Sequence, residues 1–165
     1  MKFICYADWG ELPASANALF AQGEKESIFL SRAWFENLAA FGLDADQAML
    51  LACVVAGERV MAILPLTKCP GNTWYALSHR YTPFYSLLLA NDDQSRVLDC
   101  LARGLGQLPV DSLLLEPVAD DDARLHGLQR AVAAVGFSFY RRFRLYNWIY
   151  RVQGQSYADY MASRP

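Results

Sequence analysis

Two stretches of this 165-residue sequence crowd together side chains that can do chemistry. The first is the polar insert His79-Arg80-Tyr81-Thr82-Pro83-Phe84-Tyr85, set between two apolar segments. An imidazole can take a proton from an attacking group, and a phenol can supply a proton or a hydrogen bond. His79 and Tyr81 are therefore the candidate catalytic pair. Arg80 and Tyr85 are candidate substrate contacts beside them, because loops on a rigid scaffold are where such groups concentrate. The alternative is a plain loop in which Pro83 sets the turn and the tyrosines are half-buried, since no carboxylate partner for His79 is visible along the chain.

The second stretch is residues 137–152, rich in aromatic and basic residues and strand-like, read as two strands around Arg142–Arg144. Side chains alternate faces along a strand. In a continuous run Phe137, Phe139, Phe143, Leu145 and Ile149 share one face, expected to be the core face. Tyr140, Arg142, Arg144, Tyr146, Trp148 and Tyr150 share the other. Arg142, Arg144, Tyr146 and Trp148 are thus candidate binding residues for an anionic or sugar-containing substrate, or for another protein domain. The alternative is a helix over the aromatics with the arginines reaching to water. A bulge near Arg142 would flip the register.

Other reactive residues stand alone. Glu116 ends an apolar segment, where it can serve as a base or, as favoured here, cap or salt-bridge a neighbour. His126 reads as a surface residue on a helix. Cys5, Cys53, Cys69 and Cys100 form neither a CxxC pair nor a zinc spacing. They read as free cytosolic thiols.

The elements that must position these residues follow from pattern. Residues 2–8 are a short first strand. Residues 13–22 are a helix with Pro13 in its first turn, followed by a solvated connection at Glu24-Lys25-Glu26. Ser31 caps a second helix carrying Trp34, Phe35, Leu38 and Phe41 on one face, and Gly42 stops it. Residues 48–56 and 59–66 form a hairpin around Gly57-Glu58. Residues 73–78 and 84–90 are further extended segments, parted by the insert. Asn91-Asp92-Asp93 opens a helix to about Leu108, with the two acids expected to cap it. Residues 112–117 are a buried strand, and Asp120-Asp121-Asp122 opens a helix with Leu125, Leu128, Val132 and Val135 on one face. A last helix begins after Gly154. The order β-α-α-β-β-β-α-β-α-β-β predicts a mixed α/β sheet covered by helices on both faces.

Composition narrows the classes. With 54% hydrophobic residues the chain can build a core, and a formal net charge of −2 gives no general attraction to nucleic acid. No apolar run reaches bilayer-spanning length, and the N-terminus lacks a signal core, so a cytoplasmic protein is expected.

The element order is the one expected of the GNAT acyltransferase fold. Ser31-Arg32-Ala33-Trp34-Phe35, Ile63-Leu64-Pro65-Leu66 and Leu77–Tyr85 resemble the N-terminal half of FemAB-like and CelD-type acyltransferases. The closing Tyr157–Pro165 resembles the link that leads into the second half. The resemblance implies residues 1–152 as one GNAT-like domain and 153–165 as the start of a helix towards a second half. It implies an acyl-CoA (acetyl-CoA) or aminoacyl donor in the complete protein, with the cleft between halves. In this fold a loop after the fourth strand offers amides to the CoA pyrophosphate at a helix start. Here that stretch, Leu88–Arg96, has no glycine and carries Asp92 and Asp93. No cofactor is therefore expected in this chain. The expected role is acceptor binding, with a second GNAT-like half or self-association as partner. The alternative is a non-catalytic interaction module.

Overall fold

The computed structural model describes residues 1–146 and 154–164. Its elements are β1 (Lys2–Tyr6), α1 (Ala16–Glu26), a 3-10 turn (Ile28–Leu30), α2 (Arg32–Phe41), β2 (Ala48–Ala56), β3 (Arg59–Lys68), β4 (Thr73–Ala76), β5 (Leu88–Leu89), α3 (Gln94–Leu105), β6 (Ser112–Leu114), α4 (Ala123–Ala134) and α5 (Tyr157–Ala162). The sheet order is β1-β2-β3-β4-β6, with β5 also on β3. All pairings are antiparallel except β4 with β6.

The long hairpin β2–β3 is the spine of the sheet. Gly57, at φ 61°, makes its turn in the left-handed region that other residues resist. Every residue from Val60 to Thr67 is buried, as a central strand covered on both faces requires. The cover comes from opposite sides. Phe3 pairs with Val54, and its ring lies where a side chain at Gly104 of α3 would stand. Leu88, on the other pleat face, meets Gly23 of α1 in the same way. The mixed sheet with helices on both faces is as expected.

Pro65 decides what happens beside β3. Its carbonyl points towards β4, where it accepts from Leu77 N (3.0 Å). A proline nitrogen carries no hydrogen, so the ladder lacks a donor at this step. The chain leaves the sheet at Ser78 and returns as β5, where Leu88 and Leu89 pair with Ile63 and Ala62. The expected strand over 84–90 is therefore reduced to two residues, because 78–86 is an excursion at the break.

Other differences have local causes. The first helix spans 16–26 and takes in Glu24-Lys25-Glu26, because Leu19, Phe20 and Gly23 continue its buried stripe to Ser27. Ser31 caps α2 through Trp34 N (3.1 Å), as expected. Only Phe35 and Leu38 of its apolar residues are buried, and Phe41 is 86% exposed. The strand expected at 112–117 shrinks to 112–114 and is half-buried, since it lies at the end of the sheet order. Asp93 is the residue before α3 but adopts φ 54°, and its carboxylate makes no cap. Capping needs extended backbone that aims the side chain at the helix amides.

The aromatic stretch departs most. Residues 137–146 form no strand, and Phe143 and Leu145, expected to face the core, are exposed. Trp148, Ile149, Tyr150 and the rest of 147–152 lie outside the described residues. None of the helices among the described residues is long and apolar enough to cross a membrane.

Candidate functional site

The insert is pinned at both ends. Its start is tied to the segment after β6, where Ser78 Oγ donates to Glu116 O (2.7 Å). Its end is tied to the same segment, where Tyr85 N donates to Pro117 O (2.8 Å). Ser86 Oγ then donates to the buried carboxylate of Asp122. β4 and β6 run parallel from Thr73 and Ser112, so these bonds tie the insert that follows β4 to the segment that follows β6.

Within the insert, a small turn presents the candidate catalytic pair. His79 N donates to Thr82 Oγ1 (3.0 Å) and Thr82 N donates to His79 O (2.7 Å). The turn places the His79 and Tyr81 rings 5.3 Å apart. Tyr81 is 73% exposed, Arg80 is exposed and His79 is half-buried. These three residues share one accessible tip.

Tyr85 is the correction. It is fully buried, and its hydroxyl donates to Pro65 O (2.6 Å). Its ring stands edge-on to Phe35 at 6.4 Å. Burial drives the phenol's pKa well above its ordinary value of 10.0. A side chain sealed under the sheet cannot touch a substrate, so Tyr85 positions the insert.

The two candidate surfaces converge on Glu116. Its carbonyl holds Ser78, while its carboxylate pairs with Arg144 Nη1 (2.6 Å). The cation partner favoured for Glu116 is therefore Arg144. Arg142 and Tyr146 are exposed nearby in sequence, and the Tyr146 ring meets Phe143 at a tilt, 4.9 Å between centroids. The alternation that was to line up Arg142, Arg144 and Tyr146 on one strand face does not exist in this irregular segment.

Asp122 was legible only as a helix opener. It accepts from Ser86 Oγ, Arg124 N (2.9 Å) and Leu125 N (3.4 Å), and Arg124 bridges on to Glu26 of α1 (2.9 Å). Burial pushes its pKa up. The Ser86 hydroxyl, the Arg124 guanidinium and the Arg124 amide outweigh this and leave it below 3.8. The acid immediately before a helix was the available signal. Phe84, Ala119 and Asp121–Arg124 line a concavity of about 350 Å³ beside this junction. A larger open groove of about 440 Å³ lies between Trp9, Glu36, Leu43 and Met49, residues too far apart in sequence to signal it.

The start of α3 is the other place a phosphate-bearing donor would need. Asp92 pairs with Arg59 (2.8 Å) and Asp93 with Arg96 (3.0 Å). Two carboxylates thus stand at the positive end of the helix, each neutralising a cation that a diphosphate would use. Both carboxylates at the start of α3 are thus engaged by arginines of this chain.

Comparison by sequence finds no matching family model and no matching curated protein. Comparison by structure finds a crystal structure of a probable acetyltransferase with a TM-score of 0.53 at 14% identity, covering 92% of this chain and 99% of the other. An apo aminoglycoside antibiotic 6'-N-acetyltransferase, AAC(6')-IG from Acinetobacter haemolyticus, aligns with a TM-score of 0.47 at 11% identity, over 92% and 100% of the two chains. The first likeness shows that this chain shares the mixed α/β fold of that protein.

Proposed function

We propose that this chain is the acceptor-binding half of an N-acyltransferase of FemAB-like organisation, and that the acyl donor is held by a second GNAT-like half. The reading rests above all on the insert, tied through Ser78 and Tyr85 to the segment after β6 and through Ser86 to Asp122. His79, Arg80 and Tyr81 lie at its accessible tip. In the whole enzyme the acceptor amine attacks the donor carbonyl carbon, and the donor's leaving group departs with the bonding pair. The amine proton passes to a base, for which His79 is this chain's candidate. Arg80 and Arg144 would orient the acceptor.

Calorimetric titration with acetyl-CoA tests the assignment. No heat of binding is expected up to millimolar ligand. Saturable micromolar binding to the chain alone would make it a self-sufficient acetyltransferase and end the proposal.

A second reading, a module that docks another domain or a copy of itself, is favoured by the rings of Tyr140, Phe143 and Tyr146, which are 91%, 69% and 79% exposed. Aromatic side chains with arginines among them are typical of binding hot spots. Sedimentation at rising concentration tests its self-docking form, which alone gains mass.

A further inference from the structure

Residues 138–146 follow α4 without helix or strand. Phe137 N donates to Val132 O (3.1 Å) and closes α4. Beyond it, no backbone hydrogen bond among the described residues holds the segment. Burial does not hold it either, since Phe139, Tyr140, Phe143, Leu145 and Tyr146 are all exposed. Two ion pairs do. Arg141 pairs with the Asp120 carboxylate and also donates to the Asp120 carbonyl (3.0 Å), and Arg144 pairs with Glu116 (2.6 Å). Because 141 meets 120 and 144 meets 116, the segment lies antiparallel along the connection between β6 and α4, beside it but not hydrogen-bonded into the sheet.

We infer that residues 138–146 form a detachable strap, clasped through Arg141–Asp120 and Arg144–Glu116, whose release bares the Glu116 carboxylate beside the insert. The same residue holds Ser78 through its carbonyl, so strap and insert meet at Glu116. Surface ion pairs are individually weak and screened by salt, so the clasp opens on modest changes of charge or ionic strength. The inference concerns the strap alone and does not depend on where the acyl donor binds.

Chymotrypsin cleavage after Phe139, Tyr140, Phe143 and Tyr146, followed by mass spectrometry on the full chain, reads the strap directly. The double variant Glu116→Gln/Asp120→Asn is expected to be cut there roughly 2- to 30-fold faster than the unaltered chain at low salt. Raising salt to about 1 M should speed cutting of the unaltered chain, relative to an unstructured control peptide, and leave the variant unchanged. The charge exchange Glu116→Arg/Arg144→Glu should return the rate towards that of the unaltered chain. Equal rates at low salt for variant and unaltered chain overturn the inference. If the double variant also melts earlier, the exchange decides, and its failure to restore slow cutting overturns the inference equally.

Discussion

The Tyr85 hydroxyl donates to the Pro65 carbonyl at 2.6 Å, on a residue whose own nitrogen carries no hydrogen. Leu77 N reaches the same oxygen at 3.0 Å. The two bonds bracket the insert: Leu77 just before its departure from β3, Tyr85 just before its return. The proline that opens the gap is thus also the anchor that closes the excursion.

Tyr85→Phe removes one of two donors to that oxygen and should cost about 1 kcal/mol. Tyr85→Ala also empties a fully buried ring site and should cost about 3–5 kcal/mol. Urea denaturation at neutral pH measures both. The burial-raised phenol adds a pH signature. The folded chain holds the neutral form, so this contribution is complete below pH 10, the ordinary value, and declines as pH climbs from there towards the folded pKa. Tyr85→Phe should lose that alkaline sensitivity. A Phe variant as stable as the unaltered chain would mean that the bond contributes nothing.

Asp122 carries the opposite signature. Its folded pKa lies below 3.8, so its contribution is complete above that value and fades as pH falls through the folded pKa. Asp122→Ala should cost about 1–2 kcal/mol at pH 7 through the lost helix cap. Comparing unfolding midpoints at neutral and strongly acid pH checks it. The variant should lose less stability on acidification than the unaltered chain does.

Cys53 should be inert in the folded state. Burial, reinforced by nearby Cys5, raises its pKa to about 12. At pH 8 roughly one molecule in ten thousand then carries the thiolate that alkylating reagents require. Iodoacetamide at that pH should label Cys53 only after denaturation, as followed by mass spectrometry. Rapid labelling of the native chain would contradict its burial.

Gly104 is held by the ring of Phe3, which occupies the space a β-carbon would take. Gly104→Ala should destabilise by about 1–3 kcal/mol despite its better helix propensity. Adding Phe3→Leu should recover part of that loss. Simple additivity of the two changes in denaturation experiments would show that they do not touch.

In a preparation that joins this chain to its proposed second half, His79→Gln should lower kcat about 10²- to 10⁴-fold with KM little changed. Tyr85→Phe should alter stability and leave kcat near its original value. A steady-state comparison that reverses this order would move the catalytic role off the insert's tip.

Local physics was enough for the elements built from near neighbours. Ser31 and Gly42 bound α2, Gly57 turns the β2–β3 hairpin, and Asp122 opens α4, because a cap or a turn depends on a few consecutive residues. The continuous apolar runs of β2 and β3 likewise announced a sheet covered on both faces. His79, Arg80 and Tyr81 were legible as an accessible group because polar residues between apolar strands have nowhere else to go. Tertiary structure alone decided the rest. Tyr85 became a buried anchor because the Pro65 carbonyl that accepts its hydroxyl lies 20 residues away in sequence. Residues 137–146 were denied a strand although their alternation suits one, because a ladder needs a partner backbone as well as a favourable pattern, and the segment meets its neighbour through Arg141 and Arg144 instead. Periodicity records which face a residue prefers, while pairing and burial depend on what the rest of the chain brings alongside.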